Sequence, residues 1–429
     1  MQALHRSAEQ ALAAMAQGGF EQAQVSLRQT GLTEVNIIND EASLLRSHEK
    51  TQLTLLGLTG QRKASTALDI DTLQDSAALQ RAVAQLHADA QAAPVDDANA
   101  VSSGQQLTLT QGPQQAELEL LVDKTRELLD WRARHAPLFR LGEGMVAHRR
   151  VQTVTLTSSG SALSSSVGSY AIDAIGAARS GRQASSFCFS GGSCNELRTL
   201  DAAEAFGIGA MMTDAVASLD PQPLKNKFSG DLVLSPMAVS SLLEWLLSQL
   251  GDERLISHSS IYQARVGQPI AVPAFTLRSR FDGAGVAAVS SDAFVAAPVQ
   301  AVQQGRLTTL LPSLYGARRT GLPHVPTASG GWSVDAGDTP LAELIAGVRQ
   351  GALVGRFSMG RPAASGDFSG VIKNGFLIED GQRGPALAET MVAGNMAQML
   401  QSITAISRER IDSGSVVLPW LRVSGMHFS

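Results

Sequence analysis

The stretch DLVLSPMAVSSLLEWLLSQLG, Asp231 to Gly251, constrains the fold of this chain more than any other. A short apolar run ends at Ser235, a good helix N-cap. Pro236 then falls at the first helical position, where its missing N–H would have had no partner. Val239, Leu242, Leu243, Leu246, Leu247 and Leu250 recur at helical spacing over a wide apolar face, and Gly251 terminates it. A strand running directly into such a helix reads as a β/α unit.

The rest of the chain is patterned differently. Its 429 residues suffice for two or three domains. With 44% hydrophobic and 17% charged residues, most of it should be globular. A formal net charge of −5 gives no broad basic surface, which argues against direct nucleic-acid binding. Aromatic residues make up 5%, too few for a base-stacking platform. The N-terminal MQALHRSAEQALAAM lacks the features of a secretory signal, and no run of apolar residues is long enough to span a membrane. Cys188 and Cys194 are the only cysteines, so no disulfide framework exists. These features predict a soluble, cytoplasmic, multidomain protein without membrane contact.

The predicted fold class is α+β. Residues 1–92 read as an N-terminal α+β domain with a β-meander. An Ala-rich helix over 2–17 is followed by alternating runs (TEVNIIND, SLLRSHEKT, QLTLLGLTG, RKASTALDI), and then by a helix with the stripe Leu79, Val83 and Leu86. Asp71 and Gln74 are spaced as a capping box for that helix. Residues 93–220 form a middle segment. It comprises a linker to Pro113, a helix from Gln114 to about Ala136, Ser/Gly-rich strands between Val151 and Cys194, and a helix over 195–219. The GSALSSSVGS stretch reads equally as a flexible loop. Residues 221–429 form a larger β-rich C-terminal domain with mixed and antiparallel sheets and flanking helices. In it, Gly384-Pro385 is expected to open a long helix with the stripe Val392, Met396, Met399, Leu400, Ile403 and Ile406. Arg408 and Arg410 would lie in its last turn, with Ser413-Gly414 closing it. SVVLPWLRVSGMHFS then reads as a strand pair, with Pro419 at an edge or bulge.

Chemistry-bearing motifs are scarce. The eight histidines are scattered, no two closer than 13 residues, with no H-E-x-x-H and no Cys/His cluster. Cys188 and Cys194, six apart, do not have metal-knuckle spacing and read as half-buried thiols. No G-x-S-x-G elbow occurs. GDFSG, Gly366 to Gly370, has the wrong spacing and reads as a turn, while the Gly-rich segment around it matches neither Walker A nor a dinucleotide fingerprint. The residues alone therefore nominate no catalytic, metal-binding or cofactor-binding group.

Several motifs do resemble a known family. GRFSMGRPAASGDFSGVIKNGFLIEDGQRGPALAETMVAGNMAQMLQSITAIS, from Gly355, resembles the C-terminal domain of the TldD/PmbA (TldE) family. KFSGDLVLSPMAVSSLL, FDGAGVA and the LPWLRVSGMHFS terminus match in the same order. In that family the TldD-like subunit carries an H-E-x-x-x-H helix and a cysteine as third zinc ligand, and the TldE/PmbA-like subunit lacks them. Here the corresponding helix, Met237 to Leu250, has no histidine, and GFLIEDGQRGP has no cysteine. Glu244 stands near the place of the catalytic glutamate but has no metal-bound water to activate. The resemblance implies a TldE/PmbA-like subunit of a TldD/TldE-type zinc metallopeptidase that processes or degrades flexible peptides. Its partner would be a TldD-like subunit holding the zinc, in a heterodimer, with a homodimer as the form of the chain alone. A stand-alone homodimeric peptide-binding or scaffold protein is the alternative, and a hydrolase with an unrecognised metal-independent site is a third reading. For contact with peptide or partner, the Gly-rich turn supplies Gly366, Asp367, Phe368 and Ser369, since glycines permit close backbone approach and Asp367 can orient a peptide amide.

Overall fold

A computed structural model describes residues 1–69 and 75–429. Two mixed sheets dominate it. The first begins with the expected meander, Gln22–Ile38, Glu41–Thr59 and Arg62–Asp69, in antiparallel register interrupted once, between Asn36 and Ile37. Phe139–Thr157 pairs on the far side of Gln22–Ile38, and Ala162–Ser180 pairs with Phe139–Thr157. Two further strands, Gln106–Gln111 and Cys188–Cys194, pair with Ala162–Ser180. This sheet thus draws strands from both sides of residue 92.

Helices Gln2–Gln17 and Ser76–Ala92 bury Leu4, Ala8, Ala11 and Met15, with Leu79, Val83 and Leu86, against Val25, Leu27, Leu53 and Leu55 of the meander. Asp75 caps the second helix by accepting from the Ala77 N–H at 2.9 Å. The capping box assigned to Asp71 and Gln74 lies outside the described residues. A second core joins Leu121 and Leu128 of helix Leu118–His135 and Met212 of helix Ile208–Ala217 to Ile172 and Ala174.

GSALSSSVGS is not a flexible loop: from Ala162 on it belongs to strand Ala162–Ser180, whose small side chains let other backbone come close. A Cβ on Gly168 would lie 1.6 Å from the Pro113 carbonyl oxygen, so only glycine fits there. The expected linker before Pro113 contains the strand Gln106–Gln111, whose alternating Leu107 and Leu109 extend the sheet in parallel. Pro113 does not open a helix. The helix starts at Leu118, and the Pro113 carbonyl meets His148 Nε2 at 2.8 Å instead. The helix expected over 195–219 shrinks to a 3-10 turn, Ala205–Gly207, and Ile208–Ala217, with Phe206 and Gly207 at positive φ breaking any longer run.

The second sheet is built around Val416–Phe428. That strand lies antiparallel to Phe228–Leu234, Met391–Asn395 and Ile403–Asp412, and parallel to Trp332–Val334. It is one long central strand rather than a pair. Pro419 does stand opposite a bulge, across from Arg410 where the register shifts. Phe228–Leu234 and Gln350–Val354 run parallel, joined by a long connection that begins with helix Pro236–Leu250. The helix is as expected: the Ser235 hydroxyl accepts from the Ala238 N–H, Pro236 is the first residue, and Val239, Leu242, Leu243, Leu246 and Leu250 are buried.

The long helix expected from Gly384 is absent. Its place is taken by strands Gln382–Ala388 and Met391–Asn395, a short helix Met396–Gln401, and strand Ile403–Asp412. Gly384, Pro385, Thr390, Val392 and Gly394 are poor helix interior residues, whereas Asn395 caps the short helix by accepting from the Ala397 and Gln398 N–H groups. Arg408 and Arg410 therefore lie on a strand, and Gly414, at φ +85°, forms its turn. All six residues of the supposed stripe are nevertheless buried.

Candidate functional site

The two sheets and helix Pro236–Leu250 enclose a cavity of about 560 Å³. Its helix wall is Met237, Ser240, Leu243, Glu244 and Leu247. The facing wall comes from strand Cys188–Cys194 with Ala210, Met211 and Asp214 of helix Ile208–Ala217, and the floor includes Val354, Leu418 and Trp420. Local sequence explains these positions. Pro236 and the Ser235 cap start the helix, and the Ser235 hydroxyl donates to the Gly355 carbonyl at 2.6 Å, fixing the helix start against the turn that carries Arg356.

The charged groups of the lining are few. Asp214 is held by Arg383 at 2.6 Å, and Arg383 itself lies 3.5 Å from the centre of the Phe376 ring. Glu244 is exposed on the helix wall. Arg356 donates to the Phe187 carbonyl at 3.2 Å and lies 5.9 Å from the Phe189 ring centre. Burial pushes the Cys188 thiol up to about 12, against the pull of Arg356, and pushes Cys194 up to about 11. Both are protonated thiols at neutral pH, which disfavours nucleophilic chemistry.

The donor set does not fit a zinc ion. A catalytic zinc needs three protein ligands, typically imidazole, carboxylate or thiolate. The cavity offers Glu244, the paired Asp214 and a strongly protonated thiol, and helix Pro236–Leu250 presents no imidazole. Among the described residues no three His, Cys, Asp or Glu side chains gather into a group able to hold a metal ion.

The four residues proposed from the Gly-rich turn lie elsewhere and do not line the cavity. Gly366, at φ +98°, makes the turn into strand Asp367–Lys373. The Asp367 carboxylate accepts from Asn395 Nδ2 at 2.8 Å and from the Ser365 hydroxyl at 2.7 Å, which hold it below the usual carboxylate range. Phe368 is buried beside Phe357, with ring centres 5.8 Å apart, whereas Ser369 is exposed. Sequence reasoning passed over Phe189, Asp214 and Arg356. Phe189 had a signal, the short apolar run Phe187-Cys188-Phe189 bounded by Ser186 and Ser190, as in a short strand. Asp214 and Arg356 had none.

Fold and cavity together define a two-sheet α+β protein whose cavity helix carries one carboxylate, Glu244, and no imidazole or thiol. Residues 229–429 match the PmbA/TldA metallopeptidase C-terminal domain, the family that the sequence motifs resemble. The chain is 28% identical over 132 residues to metalloprotease PmbA of Escherichia coli O157:H7, and 24% identical over 230 residues to the PmbA homolog of Haemophilus influenzae. Those stretches cover 29% and 49% of this chain, and the same shares of the two relatives, so the chain matches less than half the length of either. Two solved structures share the whole fold. TldE from Thermococcus kodakarensis superposes with a TM-score of 0.82 at 18% identity, covering 99% of this chain and 100% of that one. A Bacteroides thetaiotaomicron protein assigned as a modulator of DNA gyrase gives 0.85 at 20% identity, covering 99% and 98%.

Proposed function

We propose that this chain is a non-catalytic TldE/PmbA-like subunit of a TldD/TldE-type zinc metallopeptidase that processes or degrades flexible peptides in the cytoplasm. The observation that carries the reading is the helix Pro236–Leu250. It turns Met237, Ser240, Leu243, Glu244 and Leu247 into the cavity, and its single carboxylate falls short of the three ligands a catalytic zinc needs. In this reading the partner, a TldD-like subunit, supplies the metal and its activated water, and this chain supplies fold, surface and part of the peptide path. Among the described residues no helix is long and apolar enough to cross a membrane, which suits a cytoplasmic complex.

The test is co-purification. The tagged full chain is co-expressed with the TldD-like protein of the same genome, and the complex is sized in solution. A 1:1 complex supports the subunit reading. A chain that elutes only as itself or as a homodimer, with the partner unbound, favours the stand-alone scaffold instead.

A further inference from the structure

Strand Cys188–Cys194 pairs on one side only, with Ala162–Ser180, from Cys188 opposite Gly176 to Cys194 opposite Tyr170. Its other edge can be read from its anchors. The Ser193 N–H donates to the Ser413 carbonyl at 3.0 Å, off the sheet. Backbone groups alternate in direction along an antiparallel strand, so those of Phe189 and Gly191 face the same way as Ser193. The Phe187 carbonyl agrees, since it accepts from Arg356. Between these anchors the N–H and C=O of Phe189 and Gly191 have no partner among the described residues, and both residues line the cavity.

An unpaired edge of this kind is a template for an added strand. Two residues span about 6.8 Å of strand, so the open stretch matches two alternate residues of an extended peptide. The walls around it are largely apolar: Met211, Leu243, Leu247, Leu353 and Trp420. At the Phe187 end stands Arg356, whose described hydrogen bond goes to a neutral carbonyl and whose Nε is shielded from solvent without an acceptor. A guanidinium in that position suits a carboxylate. The other lining charges are Asp214, neutralised by Arg383, and Glu244, which disfavours acidic side chains in a bound segment.

We infer that this cavity captures the C-terminal end of an extended apolar peptide, which adds as a strand to the Phe189–Gly191 edge and sets its α-carboxylate on Arg356. Because Arg356 lies at the Phe187 end, the peptide runs antiparallel to strand Cys188–Cys194. This is peptide capture by the chain itself, and it holds or fails separately from pairing with a peptidase subunit.

The experiment uses the full chain and an N-terminally fluorescein-labelled Ala-Leu-Ala-Leu peptide, followed by fluorescence anisotropy. Three forms are compared: free carboxylate, C-terminal amide, and free carboxylate with the backbone N-methylated at alternate residues. The carboxylate form should bind saturably, and the amide about tenfold more weakly, as loss of one charge-assisted hydrogen bond implies. The N-methylated form should not bind. Arg356→Gln should erase the difference between acid and amide. Ala210→Trp, which fills the cavity from an exposed wall position, should abolish binding with the melting temperature unchanged. The inference is overturned if no form binds, if acid and amide bind alike, or if folded Ala210→Trp binds as the parent does.

Discussion

The Tyr315 hydroxyl donates a 2.7 Å hydrogen bond to Asp96 Oδ2, joining residues 219 apart in sequence. Asp96 lies in the loop after helix Ser76–Ala92, and Tyr315 lies in the short helix Leu314–Thr320 of the C-terminal half. Arg319 approaches the other carboxylate oxygen at 3.7 Å, Arg318 donates to the Asn99 carbonyl at 3.3 Å, and Lys63 lies 5.1 Å from the Tyr315 ring centre. This cluster is a latch between the two halves of the molecule, whose walls meet at the cavity.

The latch should be pH-dependent. The Tyr315 hydrogen bond, followed by the Ala98 N–H, holds the Asp96 carboxyl below its ordinary value. A carboxylate depressed in the folded state stabilises above its unfolded pKa, and that stability is lost as pH falls through the folded value. Asp96→Ala should therefore lower the melting temperature at pH 7, and the gap to the parent should narrow below about pH 4. Thermal melts across pH 3 to 8 check it, and a gap independent of pH would assign the effect to packing alone.

Leu400 is fully buried in the C-terminal core, in the short helix Met396–Gln401. Leu400→Ala should cost about 2–5 kcal/mol, the lost transfer energy plus a cavity. Urea unfolding measures it. A cost below about 0.5 kcal/mol, the usual size of a surface substitution, would contradict the burial.

Asp367 spends one carboxylate oxygen on Ser365 in its own turn and the other on Asn395 across the strand pair. With Asp367→Ala, peptide cleavage by the reconstituted complex should fall only in step with thermal stability. Loss of cleavage at an unchanged melting temperature would instead make the Gly366–Ser369 turn a contact for peptide or partner.

The tag-free chain should carry zinc well below one equivalent after purification, because its cavity helix lacks imidazole and its thiols are held protonated. Elemental analysis settles this, and near-stoichiometric zinc would overturn the account of the site.

Where local signals and burial agreed, the sequence was legible. The meander, the Leu79–Val83–Leu86 stripe and the Ser235-Pro236 helix start all have side chains whose spacing admits one structure. The segment after Gly384 misled because Val392, Met396, Met399, Leu400 and Ile403 are spaced for a helix, yet they alternate among strand, short helix and strand in the same core. Burial was predictable there, but secondary structure was decided by Gly394, Pro385 and the Asn395 cap. The cavity was not legible, since strand Cys188–Cys194 and Arg356 are brought together by contacts between residues about 170 apart that no local pattern encodes.

Peptide cleavage measured on the separated and mixed subunits tests the central claim most directly. An unstructured fluorogenic peptide is incubated with this chain alone, with the TldD-like subunit alone, and with both, each with and without a zinc chelator. The account predicts no turnover by this chain alone and chelator-sensitive turnover by the mixture above that of the partner alone. Turnover by this chain alone, or a mixture no faster than the partner, would contradict it.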